Sequence, residues 1–150
     1  MSTGPILIQP DGGHELHEFG DKMTVFLNGE QTAGQMAVMA AETPPGMGPP
    51  PHIHHNEDEL FLVIDGSISY FRGDDWVPVR PGGVVYVPRH SLHSYRNDGD
   101  TPSHHWVITT PSGFEVFFAR CAEEFAKPGE PAIDRIVEIA LEHGTELLLG

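Results

Sequence analysis

Residues 46–66 read GMGPPPHIHHNEDELFLVIDG, and this stretch decides the fold. If His52 and His54 lie on a β-strand, the two-residue period of a strand turns both side chains to the same face. Glu59 can join them after a turn, whereas His93 must arrive from another strand. Three imidazoles and one carboxylate suit a divalent transition ion such as Fe, Mn, Co, Ni, Cu or Zn. The stretch therefore predicts a metal site, and the alternative is a solvated loop rich in His and Glu.

The spacing around these residues resembles the two sequence motifs of the cupin superfamily. The first motif is matched at every position, by Gly46, His52, His54, Glu59 and Gly66. The second motif is matched by Gly82, Pro88, His93 and Asn97. His90 departs from it, because the family usually has glycine there, and this puts in doubt the tight turn of the second motif. The resemblance implies one metal ion per chain, held by His52, His54, Glu59 and His93.

Composition excludes several classes of partner. The chain has 150 residues, enough for one domain with a substantial core, and 39% of them are hydrophobic. The formal net charge of −14 argues against nucleic acid and against anionic membrane surfaces, since both require a basic patch. No apolar run reaches the length of a membrane span, and the N-terminal residues lack the pattern of a signal peptide. We therefore expect a cytoplasmic protein.

Turn-forming residues divide the first two-thirds of the chain into short apolar runs. These runs are Met36–Ala41, Leu60–Ile64, Ser67–Phe71, Val84–Val87 and His105–Thr109. Short runs of this kind, separated by Gly and Pro, are typical of a β-sandwich or barrel, and Asn28-Gly29 is expected to form a hairpin turn. Together with the motifs they predict an all-β fold, a double-stranded β-helix (jelly-roll) cupin barrel with C-terminal α-helices. We expect a single cupin domain over 1–150, with the barrel at about 34–111 and the helices at about 112–145.

The last third of the chain has helical periodicity. Ser112 and Glu115 fit a capping box at the start of a first helix. A second helix is expected after Pro131, with Gly144 as its C-terminal stop. Its predicted apolar face consists of Ile133, Ile136, Val137, Ala140 and Leu141. Cys121, the only cysteine, lies on the apolar stripe of the first helix and is predicted to be a buried hydrophobe rather than a nucleophile.

Strand alternation predicts which side chains share the interior with the metal site. Phe61 and Val63 have the parity of Glu59, and Ser91, Tyr95 and Asn97 have that of His93. The aromatic residues of the first helix either pack on the core or form an apolar lid over the site, and the two roles are compatible. The candidate substrate-pocket residues are Phe61, Tyr95, Phe114 and Phe118.

The remaining histidines lack the motif spacing. His55 and His90 adjoin motif positions and are interpreted as surface residues or as neighbours of the metal ligands. Four more are interpreted as surface or core histidines, namely His14, His17, His104 and His105.

Beyond the two motifs, nearly the whole chain resembles bacterial single-domain proteins similar to quercetin 2,3-dioxygenase. The resemblance is carried by PPPHIHHNEDELFLVIDGSISYF, by VYVPRHSLHSYRN and by the TP-x-GF segment that opens the first helix. It implies a metal-dependent dioxygenase that cleaves a flavonol-type substrate with O2 and releases carbon monoxide. Small cupins commonly pair, so a homodimer is expected.

Two other functions remain open on the sequence. One is a metal-dependent isomerase or lyase on a small sugar or keto acid, and the other is a non-enzymatic small-molecule-binding cupin. Glu59 is the candidate catalytic residue, because a carboxylate beside a Lewis acid can act both as ligand and as general base.

Overall fold

The computed structural model describes residues 4–149, and its main body is built from β-strands. The strands of the first half are β1 (His14–Glu18), β2 (Asp21–Leu27), β3 (Ala37–Thr43), β4 (His52–His54), β5 (Asp58–Asp65) and β6 (Ile68–Phe71). The remaining strands are β7 (Trp76–Val79), β8 (Val84–Val87), β9 (Leu92–Asn97), β10 (Ser103–Thr110) and β11 (Thr145–Leu147). The helices are α1 (Phe114–Phe125) and α2 (Ile133–Glu142). The strand prediction is therefore confirmed, with each predicted run lying on a strand.

Two antiparallel sheets form the barrel. The larger has the order β1-β2-β3-β10-β5-β8 and the smaller the order β11-β4-β9-β6-β7. From β3 onward the chain repeatedly crosses between sheets, so that strands distant in sequence become neighbours. β5, for example, pairs with both β8 and β10, while β4 pairs with β9. This is the expected double-stranded β-helix with C-terminal helices.

Alternating burial along the strands creates the interior. In β3 and in β5, buried residues alternate with partly exposed ones, because successive side chains point to opposite faces of a strand. Met39, Phe61, Val63 and Val107 fill the barrel from the larger sheet, and Ile68, Tyr70 and Tyr95 do so from the smaller. The predicted inward parity of Phe61 and Val63 is confirmed.

The start of α1 differs from the predicted capping box. The N-cap is Gly113, with φ of 131°, and no side chain of the described residues caps the helix. Glu115 does reach back, since its Oε1 accepts from the Gly113 backbone N–H at 2.6 Å, but its Oε2 accepts from Gly29 N–H at 2.7 Å. Ser112 is therefore not the cap. Glu115 instead ties α1 to the loop that follows β2.

The turn predicted at Asn28-Gly29 is also wrong in detail. β2 ends at Leu27 and β3 begins at Ala37, so a long connection replaces a two-residue turn. Asn28 Oδ1 accepts from the Gln31 backbone N–H at 3.0 Å, and the Asn28 N–H donates to Gln31 Oε1 at 2.9 Å. These local bonds make Asn28 the start of a wide loop.

The face of α2 is only partly as predicted. Ile136 and Ala140 are buried, but Ile133 and Leu141 are exposed, and Ile139 is buried in their place. The chain then turns at Gly144, with φ of 72°, the left-handed conformation expected of a residue that ends a helix. After this turn β11 adds to the edge of β4, a strand that the helical assignment of the C-terminal segment missed.

Within residues 4–149, neither helix has the length and hydropathy needed to cross a membrane.

Candidate metal centre

Three strands bring four ligand-type side chains to one point inside the barrel. β4 carries His52 and His54 on its inner face, β5 carries Glu59, and β9 carries His93 directly opposite His52. Each of the four side chains is buried. The structure thus brings together all four residues that the motifs pointed to.

The distances within the group fit a single small ion. The candidate ligand atoms all lie within 4.8 Å of one another. His93 Nε2 is 2.8 Å from Glu59 Oε1, and His54 Nε2 is 3.7 Å from the same oxygen. Metal–ligand bonds of about 2.0–2.2 Å require ligand atoms a few ångströms apart, so small side-chain adjustments suffice.

Outer hydrogen bonds orient each imidazole. His52 Nδ1 contacts the Pro50 carbonyl oxygen at 2.8 Å, and His93 Nδ1 contacts that of Ser91 at 3.0 Å. A carbonyl can only accept, so Nδ1 of both rings carries a proton. In the neutral His52 ring Nε2 keeps its lone pair, whereas Nε2 of His93 also donates to Glu59 Oε1 at 2.8 Å and must release its proton before it can bind a metal. His54 Nδ1 lies 3.2 Å from Thr145 Oγ1, which gives this ring the same orientation. All three rings thereby direct Nε2 toward the interior of the group, where a metal ion would bind.

Burial keeps the imidazoles of β4 neutral. It lowers the pKa of His52 to about 3, with a further contribution from His93, and it lowers the pKa of His54 well below its usual range. For His93, burial is outweighed by the hydrogen bond and charge of Glu59, so its pKa is raised. Metal binding requires neutral imidazoles, and these surroundings supply them for His52 and His54 at neutral pH.

One buried atom argues directly for an ion. His54 Nε2 is buried and has no hydrogen-bond partner within residues 4–149. Buried polar atoms are almost always paired, and an imidazole nitrogen facing a carboxylate and two further imidazoles would be satisfied by a cation. The His52–His54–Glu59–His93 group therefore has the composition and geometry to hold one metal ion, whose identity the donor atoms leave open.

An apolar cavity adjoins this group. Its wall includes all four predicted pocket residues, Phe61, Tyr95, Phe114 and Phe118. Its volume is about 30 Å³, room for roughly two water molecules. Phe114 lies edge-on to His54, with ring centroids 4.3 Å apart. The aromatic side chains of α1 are therefore buried in the core and also line the cavity.

Several wall residues were not anticipated from the sequence, and three of them lie next to polar groups of the site or belong to an unpredicted strand. Thr145 and Leu147 come from β11, and Glu18 comes from the end of β1. The C-terminal residues carry no motif, so no sequence signal reveals that they return to β4. For Glu18, the sequence feature that could have indicated a hairpin turn is Gly20, which follows it by two residues.

The histidines outside the group are accounted for by other contacts. His90 adopts a φ of 73°, so the turn normally made by glycine is kept, and its N–H donates to the His54 carbonyl at 2.7 Å. His55 faces away from the cavity and lies between His90 Nδ1, at 2.7 Å, and Glu146 Oε1, at 2.8 Å. His105 is buried against the Tyr70 hydroxyl, whereas His104 lies between Asp65 and Glu42 near the surface.

Cys121 lies outside the cavity wall. It is fully buried in α1, and burial, followed by the charge of Glu18, raises the pKa of its thiol to about 12. Such a thiol is protonated at neutral pH and is not nucleophilic.

Comparison with known proteins places this geometry in a family. Residues 39–109 match the Cupin_2 family of cupin domains. The chain is 29% identical over 115 residues to quercetin 2,3-dioxygenase of Bacillus subtilis (strain 168), a match that covers 73% of this chain and 34% of that protein. The chain thus spans about a third of the length of this curated relative.

Solved structures share the fold at lower sequence identity. A predicted oxalate decarboxylase from Thermotoga maritima superposes with a TM-score of 0.64 at 18% identity, covering 71% of this chain and 99% of that one. A sugar phosphate isomerase from Silicibacter pomeroyi superposes with a TM-score of 0.63 at 19% identity, covering 71% and 76%. Their differing activities show that the likeness concerns the fold alone. The motif positions and the match over residues 39–109 together show that this chain contains a cupin domain, and the shared barrel agrees with this.

Proposed function

We propose that this protein is a metal-dependent dioxygenase acting on a neutral, hydroxylated aromatic or enolisable substrate, with flavonols of the quercetin type as the first candidates. The observation that carries the proposal is the composition of the cavity wall. Ligand-type side chains occupy one part of it, and most of the remainder is aromatic or aliphatic. A pocket of this kind favours an organic ring whose oxygen atom faces the polar end.

The proposed ligands are His52, His54, Glu59 and His93, with one divalent transition ion per chain. When bound, the ion would act as a Lewis acid toward a substrate hydroxyl and would provide redox chemistry for dioxygen. Four protein ligands leave room for one or two further oxygen atoms on a five- or six-coordinate ion.

Four alanine variants test this ligand set. His54→Ala and His93→Ala should abolish stoichiometric metal binding, measured by elemental analysis after dialysis. His55→Ala and His143→Ala are the matched controls and should retain it, since neither side chain lies on the cavity wall. Equal loss in all four variants would contradict the ligand assignment.

Glu59 is the proposed general base. Its Oε1 contacts His93, whereas Oε2 has no hydrogen-bond partner within residues 4–149. Oε2 can therefore accept the proton of a substrate hydroxyl that enters the polar end of the cavity. Phe61 and Phe114 would hold the substrate ring and exclude water around this proton transfer.

The charge of the wall favours this function over those of the structural relatives. Neither Lys nor Arg occurs among the residues that line the cavity, whereas Glu18 and Glu59 both do. Apart from the proposed ion, a phosphate or a dicarboxylate would meet no cationic side chain among the described wall residues to neutralise its remaining charge, at high desolvation cost. This argues against sugar phosphates and oxalate, although an isomerase or lyase on an uncharged sugar remains an alternative.

For a flavonol, the proposed net reaction takes up one O2 and inserts both oxygen atoms while the heterocyclic ring opens. One ring carbon leaves as carbon monoxide, and the remaining atoms form an ester of two aromatic acids. The cavity in its present conformation is too small for such a ring system. Entry would therefore require part of the wall to move, and we propose that Phe114 and its neighbours on α1 are the part that moves.

Oxygen consumption is the decisive test. Protein loaded in turn with Fe, Mn, Co, Ni, Cu and Zn would be screened with flavonols, catechols and diketones in an oxygen electrode. Flavonol cleavage predicts equal amounts of oxygen consumed and carbon monoxide released. Turnover of a substrate under nitrogen would support an isomerase or lyase instead, and tight binding without turnover would support a binding protein. The expected homodimer is tested separately by sedimentation, where a mass near 16.5 kDa would contradict it.

A further inference from the structure

The hairpin between β1 and β2 contributes an acidic side chain to the cavity wall. Glu18 ends β1, Asp21 begins β2, and the two residues pair directly across the hairpin. Glu18 is only 3% exposed, and it lies on the same cavity wall as His52, His54 and Glu59. No motif involves Glu18, and the proposed proton transfer does not use it.

Each of the other polar side chains on this wall is already engaged. Tyr95 donates its hydroxyl to Asp21 Oδ2 at 2.5 Å, and the Thr145 hydroxyl lies against His54 Nδ1. The rest are the proposed metal ligands, His52, His54 and Glu59. The carboxyl group of Glu18 has no hydrogen-bond partner within residues 4–149. Among the described residues of the wall it is therefore the one polar side chain left to bind the organic part of a ligand.

The position of Glu18 is unfavourable for folding. It lies opposite a second carboxyl group, and like charges directly opposite on paired strands are destabilising. Burial, together with the charge of Asp21, raises the pKa of Glu18 well above its usual range. A buried, unpaired carboxyl costs stability even when neutral, because it has given up its hydrogen bonds to water.

The hairpin turn adds a second unfavourable feature. Phe19 and Gly20 connect the two strands with φ of 47° and 83°, the positive values that a two-residue type I′ turn requires. Glycine tolerates this conformation, but a bulky residue such as Phe does so only with strain. Phe19 also lies on the cavity wall, and its ring packs against Phe125 of α1 at 4.9 Å. Strain and an unpaired acid thus coincide at the cavity, as is common where a ligand binds.

We infer that Glu18 is the specificity-determining residue of the cavity and that its carboxyl group accepts a hydrogen bond from a second hydroxyl of the substrate. The substrate class is then a neutral ring that carries two oxygen functions, one directed to the His52–His54–Glu59–His93 group and the other to Glu18. This inference rests on the proposed function for the first of these contacts. It adds a requirement for the second hydroxyl, which the metal ligands alone would not impose.

Two pairs of probes that differ in their hydroxyl groups test the inference. Kojic acid and its deoxy analogue allomaltol share a hydroxypyranone that chelates metals, and only kojic acid has a further hydroxymethyl group. Quercetin and 3-hydroxyflavone likewise share the flavonol core but differ in the number of ring hydroxyls. Binding is measured by fluorescence titration of the zinc-saturated protein under nitrogen, so that no oxygenation occurs.

The wild-type protein should prefer the more hydroxylated member in at least one pair. Glu18→Leu should reduce that preference by about three- to tenfold, the effect of one hydrogen bond, while the affinity for the other member stays nearly constant. Glu18→Gln keeps an oxygen acceptor at this position and should retain most of the preference. Glu18→Leu should also raise the melting temperature, since it removes a buried unpaired carboxyl.

The matched control is Glu124→Leu, which removes another buried acid. Glu124 is ion-paired with Lys127 at 2.9 Å and lies outside the cavity wall, so its loss should lower stability and leave both probe ratios unchanged. The inference would be overturned if the wild type and Glu18→Leu had the same ratio of affinities for the two members of each probe pair. A lower melting temperature for Glu18→Leu would also overturn it. If the protein takes up no oxygen but still prefers the more hydroxylated probe in a way that depends on Glu18, only the dioxygenase proposal would be refuted.

Discussion

Thr145→Val isolates the contribution of the C-terminal strand to the metal site. The substitution preserves side-chain volume but removes the hydroxyl that lies 3.2 Å from His54 Nδ1. Both residues are buried, so water cannot replace the lost partner easily. Removing an outer partner of a ligating histidine lowers metal affinity by about 10- to 100-fold.

The local geometry places the expected effect at the lower end of this range. The bond is long, and Glu57 Oε2 lies 3.9 Å from the same nitrogen. Burial, with a further contribution from the charge of Glu59, raises the pKa of Glu57 to about 7, and Glu57 Oε2 is itself without a hydrogen-bond partner within residues 4–149. A small shift would let it replace the Thr145 hydroxyl. We therefore expect a loss of about tenfold, or about 1.4 kcal/mol, in Thr145→Val and a larger loss when Glu57→Gln is added.

Competition with a chelating dye measures zinc affinity in each variant. Thr43→Val is the matched control, because Thr43 is equally buried but its hydroxyl interacts with Asp21, away from the ligands. Unchanged affinity in Thr145→Val, or an equal loss in Thr43→Val, would refute the role assigned to β11.

Three further predictions follow from single side chains. Metal-replete Glu59→Gln should still bind a hydroxylated substrate but lose turnover by about 10²- to 10⁴-fold, and near-normal turnover would exclude the base role. Burial raises the pKa of Asp21 to about 6, so the folded state binds the extra proton and wild-type stability should fall as pH rises from about 4 to 6. In urea unfolding, Asp21→Asn should therefore gain up to about 3 kcal/mol relative to the wild type between about pH 4 and pH 7.5, and a constant difference would contradict the shift. Phe114→Ala should enlarge the cavity and tighten binding of bulky flavonols while destabilising the fold by about 3–5 kcal/mol, as measured by titration and by thermal unfolding.

The sequence predicted the barrel well because its signals are local. Alternating burial in β5 follows from a two-residue period, and glycines mark the turns that separate the strands. The spacing of His52 and His54 fixes their common face, so the HxH pair could be placed without coordinates. His93 was placed only by resemblance to a family, since nothing local to it indicates that it pairs with His52.

The errors lie where long-range contacts decide local structure. Glu115 was expected to pair with Ser112, but the packing of α1 brings its carboxylate to Gly29 as well as to Gly113. Leu141 has the helical spacing of a buried residue, yet α2 presents Ile139 to the interior instead. In both cases the orientation of a helix on the barrel determines the partner, and this orientation is not encoded in the period of the sequence.

The sequence by itself determined the strand faces, because these depend on residue spacing along individual strands. Through its resemblance to the cupin motifs it also indicated the fold family and the four candidate ligands. Only the tertiary structure decided what surrounds those ligands. Thr145 reaches His54 because β11 returns to the edge of β4, and Glu18 reaches the cavity because the β1–β2 hairpin closes on it. Such contacts join residues far apart in the chain, and their physical cause is the closure of two sheets around one interior.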